Sequence, residues 1–135
     1  GDFAYVGTGS DNGSLELDCW QFDPTRLPDF PWVALIDLDE EDDYAVIREN
    51  ATAFTINGRA YVVSGLRGSV TNTVWEYNPS NDFWTEKTPI EAAARRDAVA
   101  FTVNERGFVT TGRSGSSYFD DIWEFEPNEE EDEDD

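Results

Sequence analysis

The chain has 135 residues, with 30 Asp and Glu against 9 Lys and Arg, no His, no Met and one Cys, and a formal net charge of −21. Without His there is no imidazole base, no Ser-His-Asp or Cys-His nucleophile pair and no His-ligated metal, and one Cys forms neither an internal disulfide nor a thiolate cluster. A surface this acidic repels phosphate backbones, so nucleic acid is not expected as a partner, and no apolar run approaches the roughly 20 residues that span a bilayer.

In chain order, the first signal is Phe3-Ala4-Tyr5-Val6-Gly7-Thr8-Gly9, followed by Cys19-Trp20-Gln21-Phe22-Asp23-Pro24. The sequence begins at Gly1 without Met, which reads as a processed product or a fragment, and no signal peptide is present. Next comes Asp37-Leu38-Asp39-Glu40-Glu41-Asp42-Asp43, six acids in seven residues, inside a connection (37–50) that reads as an acidic, solvated insertion. Asp39, Glu41, Asp42 and Asp43 form a weak calcium candidate, because calcium prefers clustered carboxylate oxygens. The spacing and Gly of an EF-hand loop are missing there.

The central stretch predicts four short strands, over 53–56, 60–64, 73–77 and 83–86, each rich in β-branched and aromatic residues. Asn57-Gly58 is a hairpin signal, since both residues tolerate positive φ, and 78–82 is a second turn. The stretch 91–96 could form one helical turn at most. Ala53-Phe54-Thr55-Ile56-Asn57-Gly58-Arg59-Ala60-Tyr61-Val62-Val63-Ser64-Gly65 then returns at an offset of 47 as Ala100-Phe101-Thr102-Val103-Asn104-Glu105-Arg106-Gly107-Phe108-Val109-Thr110-Thr111-Gly112. Val74-Trp75-Glu76-Tyr77-Asn78-Pro79 returns at 48 as Ile122-Trp123-Glu124-Phe125-Glu126-Pro127. The opening segments are a third copy, and the Gly-to-Trp spacing is 11, 10 and 11 residues. A repeat of about 50 residues built from four antiparallel strands is the sequence form of a propeller blade. Trp20, Trp75 and Trp123 recur at one position and are expected between blades; Trp32 and Trp84 are expected in the core likewise, and Cys19 as a small buried hydrophobe.

On these motifs, with Trp84 seven residues after Tyr77, the sequence resembles the kelch-repeat family, over residues 3–127. The wording Trp75-Glu76-Tyr77-Asn78-Pro79, and Ala94-Arg95 ahead of Ala98-Val99-Ala100-Phe101, look like kelch proteins common in Bacteroidetes-type bacteria. The family's Gly-Gly doublet reads here Thr8-Gly9, Ser64-Gly65 and Thr111-Gly112. The resemblance implies an all-β fold of four-stranded antiparallel propeller blades. About two and a half are present, in copies near 1–38, 51–89 and 98–127, making residues 1–128 a partial propeller. Closed propellers have roughly 4–8 blades, so the expectation is a fragment of a longer chain, an oligomer of partial propellers, an open arc, or a lost N-terminal half that supplied the closing strand. The run 129–135 should be a disordered acidic tail, and without 126–135 there are still 22 acids against 9 bases. Such composition fits either adaptation to high salt or an ordinary acidic extracellular protein.

In a four-stranded blade the loop between strands two and three shares a face with the link between blades. That face carries Arg67, Arg113, Ser114 and Tyr118 from the first kind of segment, and Arg48, Arg95, Arg96 and Asp97 from the second. Arg48 and Arg95 occupy one repeat position and could offer planar bidentate donors to a carboxylate or hydroxyl-rich ligand; the alternative is that each pairs with a neighbouring blade's carboxylate and fixes blade packing. The expected function is a non-catalytic interaction module for a protein or glycan, with no cofactor, and with remaining propeller blades or self-association as further partners. The alternatives are an assembly arc joined through blade edges, or a sugar-acting, epimerase-like enzyme in which Arg95 and Asp97 imitate acid and Arg chemistry. The copper site of galactose oxidase, a kelch-like relative, needs His and cannot form from this chain alone. The family resemblance implies an extracellular or periplasmic setting.

Overall fold

A computed structural model describes residues 2–41 and 44–126. Short strands are joined by tight turns. They comprise β1 (Ala4–Gly7), β2 (Ser10–Asp11), β3 (Ser14–Leu15), β4 (Cys19–Phe22) and β5 (Trp32–Ala34). They continue as β6 (Thr52–Ile56), β7 (Arg59–Val63), β8 (Leu66–Arg67), β9 (Ser69–Val70), β10 (Val74–Asn78) and β11 (Phe83–Lys87). The last are β12 (Val99–Val103), β13 (Arg106–Thr110), β14 (Arg113–Ser114), β15 (Ser117–Tyr118) and β16 (Ile122–Phe125). One 3-10 turn, Pro24–Arg26, interrupts them; 91–96 takes no helical turn.

The main sheets run β1-β4-β5, then β11-β10-β7-β6, then β12-β13-β16, all antiparallel. Among the described residues only the middle sheet has four strands; the first has no counterpart of β6 and the third none of β11. The four strands expected in the central stretch fall within a residue of their bounds as β6, β7, β10 and β11, because turn chemistry delimits them. Asn57 (φ 51°) and Gly58 (φ 78°) close the β6–β7 hairpin, both left-handed as a two-residue turn of the favoured hand requires. Asn104 and Glu105 do the same between β12 and β13.

The doublet before each loop hairpin keeps its backbone although its first Gly is replaced. Thr8, Ser64 and Thr111 have φ near +60°, followed by Gly9, Gly65 and Gly112. The second position must be Gly for a further reason: a Cβ on Gly65 would stand 2.8 Å from the Glu49 carbonyl oxygen, and one on Gly112 equally close to that of Arg96.

Two cores lie between the sheets. Phe54, Ile56, Tyr61, Val63 and Val74 of the middle sheet bury one face against Val109 and Phe125 of the third. Phe54 lies directly over Gly107, whose Cβ would meet the ring at 2.5 Å. The opposite face, Trp75, Tyr77 and Trp84, packs on Cys19, Leu38, Tyr44 and Val46, with Tyr5 beside them. Burial pushes the Cys19 thiol up to about 11. Tyr44, Val46 and Arg48, inside the connection expected as a solvated acidic insertion, are therefore core residues.

Equivalent tryptophans differ by position. Trp75 and Trp84 are buried, whereas Trp20 (37% exposed) and Trp32 (48%) lie on the first sheet's outer side, where no further sheet of the described residues covers them. Val99, Val103 and Ile122 are exposed at the opposite end for the same reason.

Candidate interaction face

The loop hairpins β2–β3, β8–β9 and β14–β15 and the links before β6 and β12 share one face, tied by backbone bridges Glu49↔Leu66 and Arg96↔Arg113. The two matched arginines lie beneath it. Arg48 is 1% exposed and Arg95 0%. Arg48 donates from Nε to the Val46 carbonyl (3.0 Å) and from its terminal nitrogens to the carbonyls of Ser64 (2.8 Å), Thr73 (3.4 Å) and Ala45 (2.9 Å) and to Thr73 Oγ1 (3.1 Å). Arg95 repeats the pattern, from Nε to Ala93 (3.0 Å) and from Nη1 to the Thr111 carbonyl (2.8 Å). It adds a bidentate grip on Asp121, 2.6 and 2.8 Å, and its guanidinium lies 4.2 Å from the centre of the Phe119 ring. Each arginine's own carbonyl accepts from the glycine of the preceding sheet, Gly9 N–H to Arg48 and Gly65 N–H to Arg95. Side chain and backbone thus staple successive sheets together. Arg48 and Arg95 are withdrawn as ligand contacts, because their donors are spent on internal acceptors.

The staples differ electrostatically. Burial and the nearby Arg67 charge push Arg48 down to about 10. In the third sheet, Arg95 and the Trp123 indole N–H together hold the Asp121 carboxyl far below the usual carboxylate range.

The other expected residues stay on the surface. Arg96 and Arg113 exchange backbone hydrogen bonds, 2.9 Å each way. Asp97, at φ 61°, sits beside them and accepts from Arg113 Nε (2.9 Å) and from Asn50 Nδ2 (2.7 Å), with Arg96 Nε at 3.9 Å. These donors, Arg113 first, lower the Asp97 carboxyl below its ordinary value. Tyr118 is opposite Arg113 in the β14–β15 register and 78% exposed; Ser114 faces Ser117. Arg67 lies in the preceding hairpin, where its backbone pairs with Ser69; it is exposed, and its side chain makes no hydrogen bond or ion pair to the described residues. Arg96, Asp97, Arg113, Ser114 and Tyr118 are thus brought together, while no direct contact ties Arg67 to them. Asp39 and Glu41 are exposed and join no cluster able to hold a metal among the described residues; Asp42 and Asp43, like the tail 127–135, lie outside those residues.

Two paired positions escaped the sequence reading. Arg59 meets Glu76 at 2.8 Å and Arg106 grips Glu124 at 2.6 and 2.8 Å, at the same offsets as the repeat itself. Asn50 and Asp97 also correspond. The constant offset was the signal for both.

The comparisons with known proteins agree with this geometry. Residues 47–89 match the kelch motif family. The solved structure of YjhT superposes with a TM-score of 0.67 at 27% identity, over 84% of this chain and 31% of that one. The chain therefore spans about a third of YjhT. No curated protein matches. The three sheets have a propeller-type all-β fold, and the chain is a partial propeller.

Proposed function

We propose that this partial kelch propeller is a non-catalytic interaction module whose loop face docks a protein partner through Tyr118. Arg113, Arg96 and Arg67 supply donors to carboxylates on that partner. The observation that carries the reading is an aromatic side chain 78% exposed, opposite an arginine that Asp97 and the Arg96 bridge hold in place. Exposed aromatic and Arg side chains of this kind anchor protein interfaces. A general acid or base works best with a pKa near the operating pH, and Asp97 is moved the other way by Arg113 and Asn50. That supports binding over epimerase-like chemistry. An extracellular or periplasmic setting belongs to the same proposal, by analogy with the family.

The test is site-specific photocrosslinking, with benzoylphenylalanine at position 118 and, as control, at Thr85 on the exposed side of β11. A protein adduct is expected at 118 and not at 85, competed away by excess unlabelled chain. Equal labelling at both positions overturns the reading. So does binding on a glycan array that Tyr118→Ala abolishes, with no protein adduct.

A further inference from the structure

The surroundings of Arg48 repeat those of Arg95 without the carboxylate. In the third blade Asp121 Oδ2 accepts both from Arg95 Nη2 and from the Trp123 indole Nε1, each at 2.8 Å. The counterparts in the middle blade are Thr73, Arg48 and Trp75. Thr73 Oγ1 takes over only the arginine half of that role, accepting from Arg48 Nη2 at 3.1 Å. The Trp75 indole N–H is buried with no partner among the described residues. The Ser64 hydroxyl is buried and unpartnered likewise, although the Ser64 carbonyl accepts from Arg48 Nη1 and its N–H donates to the Thr73 carbonyl. Arg48 itself makes no ion pair with a carboxylate among the described residues. Glu86 acts on it from a longer distance, and the repulsion from Arg67 is the stronger of the two influences.

A second substitution points the same way. Thr71 stands where Phe119 does, since each donates its N–H at 3.0 Å to the carbonyl of the doublet glycine, Gly65 or Gly112. The ring that lies over Arg95 therefore has no counterpart over Arg48. In its place Thr71 Oγ1 lies 3.0 Å from Thr73 Oγ1. Two hydroxyl protons are available for that one contact, so one of them is spare.

We propose that this cluster is a binding site for a small monovalent anion, chloride, set between the Arg48 guanidinium and the Trp75 indole where Asp121 Oδ2 stands in the third blade. The N–H groups of Arg48 are already spent on oxygens, so Arg48 contributes its charge. The anion accepts from the Trp75 indole N–H, the Ser64 hydroxyl and the spare threonine hydroxyl. A buried cation without a counter-charge and a buried donor without an acceptor are both costly, and one anion offsets both. The net charge of −21 opposes any anion, but at physiological ionic strength it is screened beyond about 8 Å. Thr71 and Thr73 are only half-buried, which gives the ion a way in. The site is independent of docking through Tyr118.

The probe is chloride itself, exchanged for the much larger gluconate at constant sodium and constant ionic strength. The 15N-labelled chain has five tryptophan indole resonances, and Trp75→Phe assigns the one that matters. The Trp75 resonance should move saturably with chloride, half-saturating below about 0.15 M, the physiological ionic strength. The Trp123 resonance, already bonded to Asp121, should not follow that curve. Above the dissociation constant, each tenfold rise in chloride should lower the unfolding equilibrium constant about tenfold in urea melts. Thr73→Asp puts a carboxylate into the site and should abolish both responses. Ser64→Ala should raise the half-saturating chloride by about fivefold; if Thr73→Asp fails to fold, this variant decides. A Trp75 resonance that chloride leaves unmoved, or moves without saturation, overturns the proposal and makes the occupant a water. Equal chloride responses in the parent and Thr73→Asp, or in the parent and Ser64→Ala, overturn it too, since screening of surface charge would then be the cause.

Discussion

Arg95→Ala separates a staple from a ligand contact. The guanidinium is fully buried and makes four hydrogen bonds, at 3.0, 2.8, 2.6 and 2.8 Å. Its removal leaves two carbonyl oxygens without these donors and Asp121 with only the Trp123 indole N–H on its side chain. Breaking a buried pair by deleting one partner costs about 3–5 kcal/mol. The Asp121 side chain is 32% exposed and can rehydrate, so the lower part of that range applies, about 3–4 kcal/mol. For a chain of this size that lowers Tm by about 10–15 °C. Urea melts followed by tryptophan fluorescence and circular dichroism measure the loss. Arg95→Lys keeps the charge without the planar fork and should lose about half as much, which guards against a variant that does not fold. A cycle with Asp121→Asn should return a coupling of about 1–3 kcal/mol. The staple is refuted if Arg95→Ala melts within about 1 kcal/mol of the parent, a change typical of a surface side chain.

Thr111 is β-branched at φ 61°, so Thr111→Gly should stabilise by about 1 kcal/mol, read as a rise in Tm. Gly107→Ala drives a methyl into the Phe54 ring and should cost about 1–3 kcal/mol, partly recovered in the double variant with Phe54→Leu; calorimetry measures both. The Asp121, Asp97 and Glu124 carboxyls all titrate below their ordinary values in the fold. The unfolded chain therefore binds more protons as pH falls through the usual carboxylate range toward the lower folded values. The stability these groups contribute is fully present above that range and lost on acidification, and Asp121→Asn should flatten a plot of urea midpoint against pH.

The strands were legible because their determinants are local. Alternation and the Asn57-Gly58 turn name β6 and β7 without reference to the rest of the chain, and the 47-residue offset carries the assignment to β12 and β13. The role of Arg48 was not, since its partners are mostly backbone carbonyls, which have no signature in the sequence. An arginine in a link of an acidic protein looks the same whether it faces solvent or a ring of carbonyls. What separates the two is burial, created by residues distant along the chain. Trp20 and Trp75 make the same point: one repeat position and one residue type, but only Trp75 has a sheet on each side. Of the loop face, the Arg96, Asp97, Arg113 and Tyr118 cluster followed from blade topology, whereas the Asn50 bridge to Asp97 needed the coordinates.

One repeat position offers a constructive test of the staple. Two residues before each recurring tryptophan stand Asp18, Thr73 and Asp121. The outer two accept the indole N–H, Trp20 to Asp18 and Trp123 to Asp121, each at 2.8 Å. In the middle blade, where Thr73 replaces the acid, the Trp75 indole N–H is buried with no partner among the described residues, and Arg48 bonds only carbonyls and a hydroxyl. An orphaned buried donor costs about 1–3 kcal/mol. Thr73→Asp would give that N–H an acceptor and Arg48 the carboxylate that Arg95 already has. Against this stand the desolvation of the new acid and the lost contact of Thr73 with the Thr71 hydroxyl at 3.0 Å. The desolvation is moderate, because Thr73 is half-buried and the guanidinium beside it is already charged and buried. The balance is a gain of about 1 kcal/mol at neutral pH. Arg48 should hold the new carboxyl below its unfolded pKa, so the gain must vanish on acidification. Urea melts at neutral and acid pH decide: a loss at neutral pH, or a gain that survives acid, would mean that charge pairing is not what these positions do.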